Sequence, residues 1–262
     1  MPATRRGNVS PEQIVDHAAV DGNVPVYDNG VLVDSGETPT SGSGGSGGLF
    51  LYPIDIPPST PDAMDDEFPG SSLDAKWTKW NEQAGQSITI DQGRAVFVTP
   101  YTVQKRIYAI TQPISGSSWK FRASVTMETH AWQYFGFGLL VRRTTGADKS
   151  LIGGYINGLG SEMMTGYFHR LSGADPTVDF EANLYNVVTQ QLYLELEYDG
   201  TNLIWRDAKT GVIFSRMRSE ATATHLGGAP EFVGFGVHAY SNFTSDPDWA
   251  GVASLDWFRR IS

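Results

Sequence analysis

From Asp65 onward the chain alternates hydrophobic and polar residues in short runs separated by turn-forming residues. Phe121, Ala123, Val125 and Met127 alternate with Arg122, Ser124, Thr126 and Glu128. Successive side chains of a strand point to opposite faces, so this run predicts a strand with one apolar and one wet face. Phe135, Phe137, Leu139 and Val141 alternate in the same way with Gly136, Gly138, Leu140 and Arg142. Leu192, Leu194, Leu196 and Tyr198 alternate with Tyr193, Glu195, Glu197 and Asp199, and Asp199-Gly200 then turns into Leu203–Trp205. Ser87–Ile90 and Ala95–Val98 flank a turn at Asp91–Arg94, which predicts a hairpin. Phe232–Tyr240 and Ala253–Phe258 complete the set, and no helical period of useful length accompanies them. Many short strands between turn clusters predict an all-β, antiparallel jelly-roll sandwich.

Ahead of this region the pattern changes. Ser10, Pro11, Glu12 and Gln13 carry helix-start chemistry and predict a short helix to about Ala18. Asp21–Gly36 holds Val24, Val26, Tyr27 and Val31–Val33 around a turn at Asp28–Gly30, which predicts a tiny hairpin. An isolated two-stranded hairpin is marginal in water, so this arm needs a partner surface. Thr40–Gly48, TSGSGGSGG, has no apolar anchor and predicts a flexible tether. Pro57–Met64 is a stiff spacer. The expected division is an anchoring arm over 1–36, a linker over 37–64 and a jelly-roll domain over 65–262.

Composition narrows the partners. Of 262 residues 12% are aromatic, and the net charge is -10, of which Met1–Met64 carries -6. Binding to a phosphate backbone runs on clustered Lys and Arg, so nucleic acid is excluded as the expected partner. Cysteine is absent, so the fold rests on packing without disulfides or thiolate sites. No apolar signal region and no stretch of membrane-spanning length is present, which predicts synthesis in the cytoplasm without a signal peptide and no membrane insertion.

Two resemblances sharpen this reading. Asp65–Asn81, DDEFPGSSLDAKWTKWN, and Ser254–Ile261, SLDWFRRI, together resemble the opening and close of concanavalin A-like lectin and glucanase domains. The first and last strands pair in that family, which implies that Phe68, Trp77 and Trp257 meet at one seam. Phe135–Arg143, Leu192–Trp205 and Val233–Tyr240 fit the same pattern. Val24–Gly36, VPVYDNGVLVDSG, is similar to N-terminal segments of tailed-bacteriophage fibre and head-decoration proteins. That likeness implies a virion protein, released by lysis and therefore independent of a signal.

Candidate chemistry falls into three groups. Glu195, Glu197 and Asp199 share a strand face as the acid and nucleophile of glycoside hydrolases do, yet a solvated strand entering a turn explains them too. If the apolar members of the two Gly-rich strands face the core, then Trp132, Tyr134, Gly136, Gly138 and Arg142 face the other side. Gly234, Gly236, His238 and Tyr240 then do so as well, making a shallow trough suited to a sugar ring. Tyr155, Tyr167 and His169 are candidates to extend it; alternatively the glycines serve only to let the sheet curve. Asn242, Asp246, Asp248 and Asp66 supply oxygens for a structural calcium ion, though an Asp-Pro turn accounts for the loop equally. No other cofactor is expected, and no metal ligand is assigned.

The chain reads as a phage virion protein, a head fibre, decoration protein or tail fibre, displaying a carbohydrate-binding domain in many copies on the particle surface. Its arm meets other virion proteins, and its domain meets a host-surface glycan. The expectation is that it is not an enzyme. A purely structural decoration protein and a glycoside hydrolase acting through Glu195 are the alternatives.

Overall fold

The computed structural model describes residues 25–28, 31–34, 57–58, 60–100, 106–129, 135–157, 164–172, 177–187, 191–239 and 250–261. The chain divides into two units, Met1–Phe50 and Leu51–Ser262. In the first, β1 (Pro25–Asp28) and β2 (Val31–Asp34) form an antiparallel hairpin with Val26 opposite Val33. The helix expected over 10–18 and the tether at 40–48 lie outside the described residues.

The second unit is all-β, with no helix among the described residues. Its strands are β3 (Thr78–Trp80), β4 (Ser87–Asp91), β5 (Arg94–Pro100), β6 (Arg106–Pro113), β7 (Trp119–Thr129), β8 (Phe135–Arg143) and β9 (Lys149–Asn157). They continue with β10 (Met164–Ser172), β11 (Thr177–Val187), β12 (Gln191–Tyr198), β13 (Asn202–Ala208), β14 (Ser215–Ala221), β15 (Phe232–Ala239) and β16 (Ala250–Arg260). A front sheet runs β11-β10-β9-β8-β15-β6-β3, and a back sheet runs β14-β13-β12-β7-β16-β5-β4. All pairings are antiparallel, and the chain crosses repeatedly between sheets, which is the jelly-roll sandwich that the alternating runs predict.

The expected inward residues fill the space between the sheets. Phe137, Leu139 and Val141 of β8, Val233, Phe235 and Val237 of β15, and Phe121, Ala123 and Val125 of β7 are all fully buried in one cluster. Trp205 of β13 lies so close to Gly153 of β9 that a Cβ there would stand 2.6 Å from its ring, and its Nε1 donates to the Leu139 carbonyl at 3.0 Å. The hairpin at Asp91–Arg94 closes through Gln92 and Gly93, both at positive φ, as a two-residue turn between twisted strands requires.

The seam between the opening segment and the closing strand differs from expectation by one residue. Asp66 pairs with Phe258, not with Trp257, and Trp77 packs edge-on against Phe258 at 5.2 Å and stacks with Phe68 at 6.1 Å. A register shift between Leu255 and Trp257 leaves Asp256 as an extra residue, and an extra residue inverts the facing of every later position in the strand. Trp257 therefore sits on the outer face of the back sheet with Tyr193, Ala208 and Phe214, while Phe258 takes the core position.

Candidate functional site

On the outer face of the front sheet, Gly236, Gly138 and Gly154 form one register row across β15, β8 and β9. A Cβ on Gly154 would fall 2.0 Å from the Phe137 carbonyl oxygen, and one on Gly138 would fall 2.3 Å from that of Gly153. No side chain fits there, so the row is a crease where neighbouring strands approach closer than Cβ atoms permit. Gly236 is different: a Cβ would meet the Leu140 and Ile152 side chains at 3.4 Å. These two residues lean over the row and join Trp80, Ile107, Ala109 and Leu171 in a second apolar cluster on this face. The face expected as an open trough is thus packed.

His169 of β10 and His238 of β15 lie in that packing, 1% and 0% exposed, with rings 4.9 Å apart and nearly perpendicular. Burial, with the charge of His169 added, holds the His238 imidazole well below its ordinary value of 6.5. Arg142 stands at the opposite end of β8 from Phe135, a separation of roughly 23 Å at ~3.3 Å per residue. It forks onto Asp148 through Nε and Nη2 at 2.7 and 2.8 Å while its guanidinium covers the Trp80 ring at 4.7 Å, so two of its nitrogens and its flat face are engaged.

Tyr155 requires a correction. It registers with Phe137 and Gly166, faces the core, and donates its hydroxyl to Asp207 of the back sheet. Tyr167 registers with Gly154, on the outer row. Trp132, Tyr134 and Tyr240 lie outside the described residues. Tyr134 precedes Phe135 and Tyr240 follows Ala239, and these two neighbours are register partners.

The register also fixes which connections share an end of the sandwich. Connections 81–86, 101–105, 130–134, 158–163, 188–190, 209–214 and 240–249 join strand ends on one side. Connections 92–93, 114–118, 144–148, 173–176, 199–201 and 222–231 join them on the other. In sequence the first set holds Tyr101, Trp132, Tyr134, Tyr240, Phe243 and Trp249 beside Phe214, whereas the second holds no aromatic residue. Val212 and Ile213, 62% and 78% exposed, also belong to the first set. The sequence reading missed this pair, although Lys209-Thr210-Gly211 signals the turn that presents it.

The carboxylates of β12 are tied into a charge ladder on the outer face of the back sheet. Glu195, 3% exposed, accepts from Arg122 Nε on one oxygen and from Arg206 Nη1 on the other, each at 2.7 Å. Glu197 accepts from the same Arg206 nitrogen at 2.6 Å and lies 3.3 Å from Lys120 Nζ. Burial raises the Glu197 pKa, but the hydrogen bond from Arg206 and the charge of Lys120 outweigh it and leave it below the ordinary 4.5. A glycosidase acid needs the reverse shift. Asp199 holds the turn, accepting from the Thr201 and Asn202 N–H groups at 2.9 and 2.7 Å.

Asp66, considered for calcium, is satisfied otherwise. Its oxygens accept from Trp77 Nε1 and the Phe68 N–H, both at 2.7 Å, and Lys76 Nζ stands 3.5 Å away. Asn242, Asp246 and Asp248 lie outside the described residues, among which no group of three or more His, Asp or Glu is placed to hold a metal ion.

No family model and no curated protein matches the sequence. Solved structures do match its fold. The GH43 protein BlXynB from Bacillus licheniformis is similar at a TM-score of 0.54 and 14% identity, over 79% of this chain and 41% of that one. A xylan β-1,4-xylosidase from Bacillus halodurans gives 0.53 and 13% over the same shares. The catalytic domain of an endo-1,3-β-glucanase (laminarinase) from Thermotoga petrophila gives 0.50 and 11%, over 75% of this chain and 95% of that one. The chain thus spans less than half the length of the first two. At these identities the likeness establishes the class of fold: a jelly-roll sandwich of the kind found in glycoside hydrolases. The expectation that the chain is not an enzyme is overturned to that extent, because enzymes are built on this fold.

Proposed function

We propose that this chain is a glycan-binding display protein whose binding surface is the aromatic end of the jelly roll, not the face of the front sheet. The segregation of aromatic residues between the two ends carries the reading. Trp132, Tyr134 and Tyr240 fall in connections of one end, and aromatic faces stack on the C–H faces of sugars. His169 and His238 are enclosed in the sheet face, and Arg142 and Tyr155 are engaged elsewhere, so these four support the scaffold instead of the ligand. The short β1–β2 hairpin ahead of a Gly/Ser tether supports an anchor that docks on a larger body. A tailed-bacteriophage fibre or head-decoration protein, carried in many copies on the virion and meeting a host-surface glycan, fits this layout; avidity then multiplies modest affinities.

A second reading draws on the named activities of the fold neighbours, which are carbohydrate-cleaving enzymes. Both are tested by applying the full chain to a glycan array and assaying reducing-sugar release on every glycan retained. Trp132→Ala and Tyr240→Ala are expected to weaken retention by about tenfold or more at an unchanged unfolding midpoint. A parent chain that retains no glycan, or variants that bind as the parent does, would sink the binding reading; sugar release by the parent would establish the enzymatic one.

A further inference from the structure

A β-sandwich has four edge strands, and each is a template for another strand unless something blunts it. Three of the four edges here are blunted by their own residues. β14 carries Arg216, Arg218 and Glu220 and has a register shift against β13; β11 carries Asp179 and Glu181 and two shifts against β10; β3 is only three residues long. β4 is the least protected by its own residues. Its one charge, Asp91, sits at the turn, and the run ahead of it, Ser87-Ile88-Thr89-Ile90, is uncharged and β-branched at three of four positions, the composition that favours strand addition.

The protection of β4 comes from outside the strand. Asp91 and Arg94 flank the two-residue turn, so alternation directs the N–H and C=O of Ile88 away from β5. Glu82 Oε1 accepts from the Ile88 N–H at 2.9 Å, and Lys79 Nζ donates to the Ile88 carbonyl at 2.8 Å. The two side chains also pair with each other at 3.2 Å. The same loop treats the front sheet alike: past the end of β3, Asn81 Nδ2 donates to the Ile107 carbonyl of β6 at 2.6 Å. Lys79 belongs to the edge strand of the front sheet and Ile88 to that of the back sheet, so the clip bridges the open side of the sandwich.

We infer that Lys79 and Glu82 seal a latent strand-addition edge on β4, and that the partner they exclude is β4 of a second copy of this chain. Self-pairing is the relevant hazard because an uncharged, β-branched run finds its own composition in every neighbouring copy.

The full chain carrying Lys79→Ala and Glu82→Ala is compared with the parent by sedimentation across a concentration series. The double variant is expected to self-associate at about tenfold lower concentration with a parental far-ultraviolet spectrum. Glu82→Gln, which keeps an oxygen for the Ile88 N–H, is expected to sediment as the parent does. Adding Thr89→Lys, a charge on the exposed face of β4, is expected to return the double variant to parental behaviour. A folded double variant that associates no more than the parent overturns the inference, and so does association that Thr89→Lys leaves untouched. Should the double variant fail to fold, Glu82→Ala alone, which leaves Lys79 on the Ile88 carbonyl, is read by the same criterion.

Discussion

Replacing Phe258 by Ala tests the one-residue shift in the closing strand. Phe258 is fully buried, stacks on Phe121 at 4.9 Å and meets the Trp77 edge at 5.2 Å. Removing a buried Phe side chain costs about 3–5 kcal/mol, and two aromatic partners place this site in the upper half of that range, at about 4–5 kcal/mol. Trp257 next to it is larger but sits in the small outer cluster, capped by the Arg259 guanidinium at 4.1 Å. Trp257 is buried too, but in a cluster of only three buried residues, so Trp257→Ala is expected to cost about 3 kcal/mol, the lower end of the range. Urea unfolding followed by circular dichroism reads both, with unchanged slopes showing that the denatured state is the same. A Trp257→Ala loss equal to or greater than that of Phe258→Ala would refute the bulge at Asp256 and restore Trp257 to the seam.

The glycine crease and the histidine pair carry two more expected outcomes. Gly154→Ala is expected to cost about 3 kcal/mol or more because its Cβ has nowhere to go, while Gly236→Ala, with contacts at 3.4 Å, should cost less than about 1 kcal/mol; equal losses in urea unfolding would mean that the crease opens in solution. The depressed pKa of His238 makes its contribution to stability complete above pH 6.5 and lost progressively as pH falls towards the folded value, since the unfolded chain then binds the extra proton. The unfolding midpoint of the parent is therefore expected to drop more between pH 7 and 5 than that of His238→Leu, and parallel pH profiles would contradict this.

How far the sequence discloses this molecule depends on whether a strand has a wet face. β7 does, and its alternation alone identifies the inward residues Phe121 and Val125; β12 keeps the alternation that turns Leu194 and Leu196 inward, although Tyr193 and Glu195 on its other face are buried as well. β9 does not: Leu151, Ile152 and Tyr155 are all buried, on both of its faces, so a period of two is silent there and gives no parity for Tyr155. The glycines of β8 and β15 are visible in sequence, but that Leu140 and Ile152 lie over them is a matter of register between three strands. Glu195 shows the same limit, because the arginines that neutralise it come from two other strands, 73 and 11 residues away. The aromatic residues of the connections are legible as composition, and their grouping at one end of the sandwich emerges only once the pairing of strand ends is known.

The order of strands has a consequence for how the chain reaches its native state during synthesis. β15 and β16, the last two strands of the sandwich to leave the ribosome, are central: β15 lies between β6 and β8, and β16 between β5 and β7. Until residues 232–260 emerge, each sheet exists as two halves with no strand to join them, and pairs such as Asp66 with Phe258 wait on nearly 200 residues of intervening chain. Closing contacts over such separations is slow, so the nascent protein holds four unpaired inner edges in the open until these two strands are made. Premature termination anywhere before β15 then yields an aggregation-prone species instead of a smaller folded domain.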